Sequence, residues 1–422
     1  MESRVHLLCK IITGKHKICV LPWISLNFLR NGRVLHCCYT SDYNAYVGNL
    51  VKQSVDEIWN SDSMKTIRRE MISGIEPALC SRCYESEKYS GTSPRRRNFL
   101  YDQKLLEIPF ITRSDGSLTK TDLQHLDFRF SNICNYKCRM CSPWNSNAWI
   151  PDAIKLDKVY EKGFEEAYGT ESLNQILNLD FIDKNLKSVK SIYFSGGEPL
   201  LMDEHWHMLE NLEKQKRFDI KLSYNSNLSL LKYKDKKILQ YWTKWGKNVL
   251  LRPSIDEIDE RAELIRSGTK WKNVEANLEI LRKTNIAIEP TITVSAMNVF
   301  RIPDIITRLV DIGIIRGNNH KSLNWRNFRL NVVTEPQEFH VSILPDQFRK
   351  DIRENINKFI LSYSQQHHVD IENLFLNLFW HLQVPWNEEQ CRKFKRFTRE
   401  IDKIRDEHTA EIIPELKCIL DQ

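Results

Sequence analysis

From residue 126 to about residue 333 the chain alternates between two kinds of apolar pattern. Short runs of strand length cover 126–130, 189–194, 220–224, 249–253, 288–294 and 328–333. Between them, apolar residues recur every third or fourth position over 153–166, 205–214, 274–282 and 302–312, which is helical spacing. Six such βα units predict a parallel sheet with right-handed crossovers. The stretch 142–187 is long for one crossover and is expected to supply a lid. Upstream, apolar runs at 24–29 and 34–38 flank Arg30-Asn31-Gly32-Arg33, and Asn-Gly between such runs predicts a hairpin. Residues 55–71 read as helix with a break at 60–63, and 84–120, rich in charge and turn residues, read as a connector. Beyond Pro336 the pattern is helical, with one face through Phe348, Ile352, Ile356, Phe359, Ile360 and Tyr363 and another through Cys391, Phe394, Phe397, Ile401 and Ile404.

At 422 residues two or three domains are expected, and 41% hydrophobic residues suffice for a sizeable core. There is no apolar stretch of membrane-spanning length and no signal-peptide pattern, so the expectation is a cytoplasmic protein without a membrane partner. Eleven cysteines in such a chain point to metal rather than disulfides. The net charge of +7 is mild; it suits an anionic partner such as an acidic reductase and does not argue for nucleic acid. The basic runs Arg95-Arg96-Arg97 and 234–237 read as solvated faces.

Three thiols, Cys134, Cys138 and Cys141, form a C-x3-C-x2-C run on the loop leaving the strand at 126–130. Such closely spaced thiols cannot all pair with each other, and soft thiolates select zinc, copper(I) or an iron–sulfur cluster. Three local ligands leave a coordination position open for chemistry; a zinc knuckle with a remote fourth ligand is the alternative. Gly196-Gly197-Glu198-Pro199 closes the second strand. Its glycines allow close backbone approach, and its carboxylate can accept hydrogen bonds from an ammonium group; an ordinary turn with Pro199 starting a helix explains it equally. Asn225-Ser226-Asn227 ends the third strand and Ser254-Ile255-Asp256 the fourth, followed by Arg266. These groups suit a ribose and a carboxylate, or else turns and helix caps. Ser295 and Asn298 follow the fifth strand. Near the N-terminus, Cys19, Cys37, Cys80 and Cys83 are spread over a hairpin, a helix and a C-x2-C pair. Cys37 and Cys38, read as strand neighbours, are expected to face opposite sides.

C-x3-C-x2-C after a first strand, with Gly-Gly-Glu-Pro after a second, resembles the radical S-adenosylmethionine (SAM) enzymes. The resemblance implies that Cys134, Cys138 and Cys141 hold a [4Fe–4S] cluster whose fourth iron binds SAM. It further implies that Gly196, Gly197, Glu198, Asn225, Ser254, Asp256 and Arg266 contact SAM. The N-terminal cysteines resemble a twitch domain, the shortened SPASM form, with an auxiliary [4Fe–4S] cluster on Cys19, Cys37, Cys80 and Cys83; here that segment precedes the core instead of following it. The implied architecture is α/β. A twitch-like domain (1–90) and a connector (91–124) lead into a partial (β/α)6 TIM-like barrel (125–336), followed by a helical C-terminal extension (337–422). The implied activity is reductive cleavage of SAM to a 5′-deoxyadenosyl radical that abstracts hydrogen from a peptide or small molecule. A flavodoxin- or ferredoxin-type protein would donate the electron, and no general base can be named. A zinc-stabilised binding protein on a degenerate barrel is the reading from another class.

Overall fold

The computed structural model describes residues 4–12, 14, 16–91, 93–97, 102–156, 186–315, 328–368 and 370–421. It divides into two compact units. The first comprises Met1–Ser131, Glu171–Gly196 and Asp219–Leu222, and the second Asn132–Thr170, Gly197–Phe218 and Ser223–Gln422.

In the first unit the expected hairpin forms from β1 (Ser25–Leu29) and β2 (Arg33–Leu35), extended by β3 (Gly48–Asn49). All five residues of β1 are buried, as in a strand covered on both faces. The reason is its other edge: β1 pairs parallel, in register, with β4 (His125–Arg129), which pairs parallel with β5 (Ser191–Phe194). Lys221 N–H, at the start of β6 (Lys221–Ser226), donates to Lys190 O. Because side chains alternate along a strand, the register sorts this sheet into two faces. Leu26, Phe28, Leu126, Phe128, Ile192 and Phe194 share one, where Phe28 and Phe128 stack at 5.3 Å. Asn27, Asp127, Arg129 and Tyr193 share the other.

The helix expected over 55–71 is two helices, Val55–Trp59 and Asp62–Ile72. Ser54 and Glu57 form a capping box on the first, and Ser61 caps the second, so the break comes from a new N-cap. The connector is not free of structure: helix Ser81–Ser90 runs toward it and helix Asp102–Ile111 lies within it. Nor is Arg95 solvated. It is buried, its Nε donates to Glu87 at 2.9 Å, and its Nη1 donates to Ile18 O at 2.9 Å.

The second unit opens on the loop after β4. Within it, Ser254 N–H donates to Ser226 O at the end of β6. A small hairpin of β7 (Lys232–Tyr233) and β8 (Lys236–Lys237) precedes β9 (Val249–Pro253), which pairs parallel with β10 (Ala287–Ile288). The single strand expected over 288–294 is broken. β11 (Thr291–Val294) pairs parallel with β12 (Arg329–Val332) after an interruption at Glu289-Pro290. Pro290 has no N–H for a ladder, and the buried Glu289 carboxylate accepts from Arg252 at 2.7 Å and Arg329 at 2.8 Å. Helices Asp203–Lys214, Ile238–Trp245, Trp271–Leu281 and Ile302–Asp311 alternate with these strands. The alternation is the βα order of a partial TIM-like barrel with a parallel-strand core. Ile150–Lys155 is helical where 153–166 was expected, and residues 157–166, with most of the expected lid, lie outside the described residues. The C-terminal extension is helical, with Asp346–His367, Glu372–His381 and Glu388–Arg405. Of the expected apolar faces Ile352, Ile356, Ile360, Tyr363, Phe394 and Ile401 are buried, while Phe348, Phe359, Cys391, Phe397 and Ile404 are half-buried. Among the described residues no helix is long and apolar enough to cross a membrane.

Candidate metal and cofactor sites

The loop 134–141 is held by backbone before any side chain acts. Lys137 and Arg139 N–H groups donate to Ser267 and Ile265 carbonyls, each at 2.8 Å. Trp149 Nε1 donates to Cys138 O at 2.7 Å, Ser146 Oγ to Tyr136 O at 2.5 Å, and Cys134 N–H to Asn147 Oδ1 at 3.1 Å. So fixed, the thiols lie within one another's fields. Burial pushes Cys134 up to about 12, with Cys138 adding to the shift, and Cys141 is raised by burial and by both other thiols. Cys138 is raised by burial against the pull of Arg266. These thiols stay protonated at neutral pH unless a metal replaces the protons.

Beside them, Gly197 approaches so closely that a Cβ would collide with the backbone of Ile133, while Glu198 N–H donates to Ile133 O at 2.7 Å. Gly196, at φ +108°, has a conformation that L side chains rarely adopt. Glu198 is buried, and burial raises its carboxyl to about 7. Its Oε1 accepts from Ser226 Oγ at 2.8 Å and Leu200 N–H at 3.2 Å; its Oε2 accepts from Asn227 N–H at 2.7 Å. A carboxylate has about four lone-pair sites, so one on Oε2 remains for a ligand donor. Asn227 Nδ2 in turn lies 3.9 Å from Cys134 Sγ and donates to Asn135 Oδ1 at 2.9 Å. Asn225 Oδ1 is buried with no hydrogen-bond partner.

Arg266 and Asp256, read separately as ligand contacts, pair with each other at 2.7 Å. Asp256 also accepts from Thr293 N–H at 2.7 Å. Burial opposes the Arg266 charge, yet Cys138 and Asp256 outweigh it and hold its pKa above its ordinary value. Its Nε remains buried and unpartnered. Asn298 serves the backbone, accepting from Ser295 N–H at 2.7 Å and donating to Asp256 O at 2.6 Å.

Sequence reasoning missed the support beneath the loop. Arg139, whose side chain is fully buried, pairs with Asp402 and, at 2.6 Å, with Glu407. Glu407 accepts from Ser267 Oγ at 2.9 Å, and Arg405 Nε donates to Asp152, the partner of Lys137, at 2.7 Å. The C-terminal extension thus reaches both sides of Cys138.

In the first unit Cys19 lies within the fields of Cys80 and Cys83. Cys19 is raised by burial and by the other two thiols, and burial pushes Cys80 up to about 12. Cys37 does not join them in this arrangement. β2 ends at Leu35, so Cys37 and Cys38 occupy a turn instead of opposite faces of a strand, and Cys37 hydrogen-bonds Cys38. His36, missed in the sequence, places Nε2 3.5 Å from Cys80 Sγ; its place beside Cys37 was the only signal. Among the described residues no three His, Cys, Asp or Glu side chains converge on a ready metal position. The donor sets still fit iron–sulfur chemistry: two groups of buried or half-buried thiols, one of them beside Arg266 with its orphaned guanidinium nitrogen.

Comparisons with known proteins agree. Residues 128–302 match the radical SAM superfamily, and residues 19–84 match SPASM, an iron–sulfur cluster-binding domain. No curated protein matches the chain. One solved structure, described as "Structure of TYW1 with a lysine-pyruvate adduct bound", has a TM-score of 0.28 and 14% identity. It covers 56% of this chain and 71% of that one, a likeness too distant to bear on function. The two domain matches indicate SAM-dependent radical chemistry, and they imply SAM, a [4Fe–4S] cluster and an auxiliary iron–sulfur cluster.

Proposed function

We propose that this chain is a radical SAM enzyme with a twitch-like N-terminal segment, and that Cys134, Cys138 and Cys141 hold the SAM-binding cluster. When bound there, cluster and SAM supply reductive cleavage to a 5′-deoxyadenosyl radical, which takes hydrogen from a substrate. The protein's part is positional. The free lone pair on Glu198 Oε2 accepts from the methionyl amine, and Arg266, oriented by Asp256, presents its unpaired Nε to the methionyl carboxylate. Asn225 Oδ1 and the Ser254 hydroxyl remain for the nucleoside. Cys19, Cys37, Cys80 and Cys83 hold an auxiliary cluster that carries electrons, with the turn at Cys37 rearranging to complete it. A cytoplasmic flavodoxin- or ferredoxin-type protein supplies the reducing electron, and the substrate is a peptide or small molecule.

The observation that carries this reading is the loop 134–141 lying against Glu198 and Arg266, with Asn227 spanning Glu198 and Cys134. Anaerobic purification tests it. Two four-iron clusters give about eight irons per chain, and dithionite with SAM is expected to yield 5′-deoxyadenosine. A colourless protein carrying zinc and forming no 5′-deoxyadenosine would instead establish the zinc-stabilised binding protein.

A further inference from the structure

The polar face of the β1–β4–β5 sheet holds two opposite charges that the fold leaves unanswered. Asp127 and Arg129 stand two residues apart on β4, hence on the same face, roughly 7 Å apart along the strand. Asp127 is buried, and its Oδ1 has no hydrogen-bond partner; neither has the buried Nε of Arg129. The two side chains form no ion pair with each other. Asn27, opposite Asp127 in register, is buried with its own Oδ1 unpartnered. Burial opposes the Arg129 charge, and the fields of Asp127, Cys38, Tyr193 and Tyr43 together outweigh it, so Asp127 and Arg129 feel each other without touching. An unpaired buried charge is costly, and a pair that is near but unjoined keeps most of that cost.

From this face we infer a binding site for a free α-amino acid or a close zwitterionic relative, its carboxylate toward Arg129 and its ammonium toward Asp127 and Asn27. A phosphate or dicarboxylate would satisfy Arg129 and be repelled by Asp127. A polyamine would satisfy Asp127 and be repelled by Arg129. Only a ligand carrying both charges a few ångströms apart answers both groups. An internal residue of a peptide carries neither charge on its backbone, so the site selects a small molecule over a peptide segment. As the substrate site of the proposed radical chemistry it rests on that reading; as a binding site it does not.

The test uses the full chain purified anaerobically with its clusters and saturated with SAM, without reductant so that nothing turns over. The probe is a pool of the proteinogenic L-amino acids, read by saturation-transfer NMR, beside matched pools of their N-acetyl and carboxamide derivatives. One or a few amino acids are expected to bind and the derivatives not. Arg129→Gln and Asp127→Asn should each weaken binding about tenfold or more, as for loss of a hydrogen bond to a charged group. Arg129→Lys should recover part of the loss. Asp127→Asn is nearly isosteric, so it keeps the test open should Arg129→Gln fail to fold. Absence of binding by every pool member overturns the inference, as does binding indifferent to both variants. Binding that appears only when SAM is omitted also overturns it, since the site would then belong to the methionyl group of SAM. Formation of 5′-deoxyadenosine on adding reductant is scored separately. Amino-acid binding without it upholds this site and defeats the radical SAM reading, and the reverse result does the opposite.

Discussion

Two buried glutamates illustrate what single residues contribute. Burial raises Glu198 and Glu257 to about 7 from an ordinary 4.5. Glu257 follows Asp256 in the chain. Its Oε2 accepts from Ile258 N–H at 2.8 Å, while Oε1 is buried without a hydrogen bond, 3.6 Å from Arg301 Nε. The folded state therefore binds the Glu257 proton more tightly than the unfolded state. By linkage this favours folding below pH 4.5 relative to higher pH, and the advantage is lost as pH rises toward 7. The shift corresponds to a swing of at most about 3 kcal/mol. Buried histidines act in the opposite sense: burial lowers His36, His340 and His381 to about 4 and His205 to about 3, so they add stability as pH rises over the same interval. The reading must therefore be a difference. The stability of wild type minus that of Glu257→Gln is expected to fall by about 2–3 kcal/mol between pH 4.5 and 7.5, measured by denaturant unfolding. Parallel curves for the two proteins would show that Glu257 titrates normally in the folded chain.

At the scale of elements, the helix Glu388–Arg405 and the turn after it hold the cysteine loop from a part of the chain more than 260 positions away. Arg139 faces Asp402 and Glu407, whose side chains are 21% and 20% exposed, so water relieves part of the cost of breaking the pair. Arg139→Met, which keeps the bulk, is expected to destabilise by about 3 kcal/mol, the low end for a broken buried pair. Iron on the 134–141 loop should then be lost to a chelator several times faster. Asp402→Asn should do less, because Glu407 still answers the guanidinium. Equal chelation rates in wild type and Arg139→Met would mean that the network does not position the loop. Nothing local in the sequence announces such a network, since a lone Arg between two cysteines carries no sign of its partner. The pairing of β1 with β4 was hidden for a similar reason: the hairpin signal at Asn31-Gly32 is local, whereas a parallel partner a hundred residues on is not. What was legible had short-range causes. The alternation through Leu126, Phe128 and Phe130 gave β4, and the spacing of Cys134, Cys138 and Cys141 gave the thiol loop. Gly-Gly-Glu-Pro marked the close approach to Ile133. The strand over 288–294 failed because Glu289-Pro290 interrupts it: Pro290 has no N–H for the ladder, and the Glu289 carboxylate is taken by Arg252 and Arg329.

For the whole molecule, the two thiol groups belong to different compact units, Cys19, Cys80 and Cys83 to the first and Cys134, Cys138 and Cys141 to the second. Each should therefore load or fail on its own. Cys134, Cys138 and Cys141 all changed to Ala should leave about four irons and abolish 5′-deoxyadenosine formation. Cys80 and Cys83 both changed to Ala should also leave about four irons, yet keep SAM cleavage. What the second variant loses separates two roles for the first unit's thiols. Cys80 ends a single 3-10 turn and Cys83 lies in the first turn of the helix behind it, while Cys19 sits on another segment, its N–H 3.5 Å from Met71 Sδ. A metal there would staple three segments whose own core includes Trp23, Trp59 and Met64, all fully buried. With such a core the unit does not depend on the staple as a very small domain would, so the double variant should keep its near-UV circular dichroism and a cooperative unfolding transition. If the auxiliary cluster carries electrons, that folded variant cleaves SAM but fails to complete turnover on substrate. If it is only a staple, the variant unfolds at lower denaturant and, while folded, still makes product. Product formation at the wild-type rate, with the auxiliary iron shown to be gone, would eliminate the electron-transfer role.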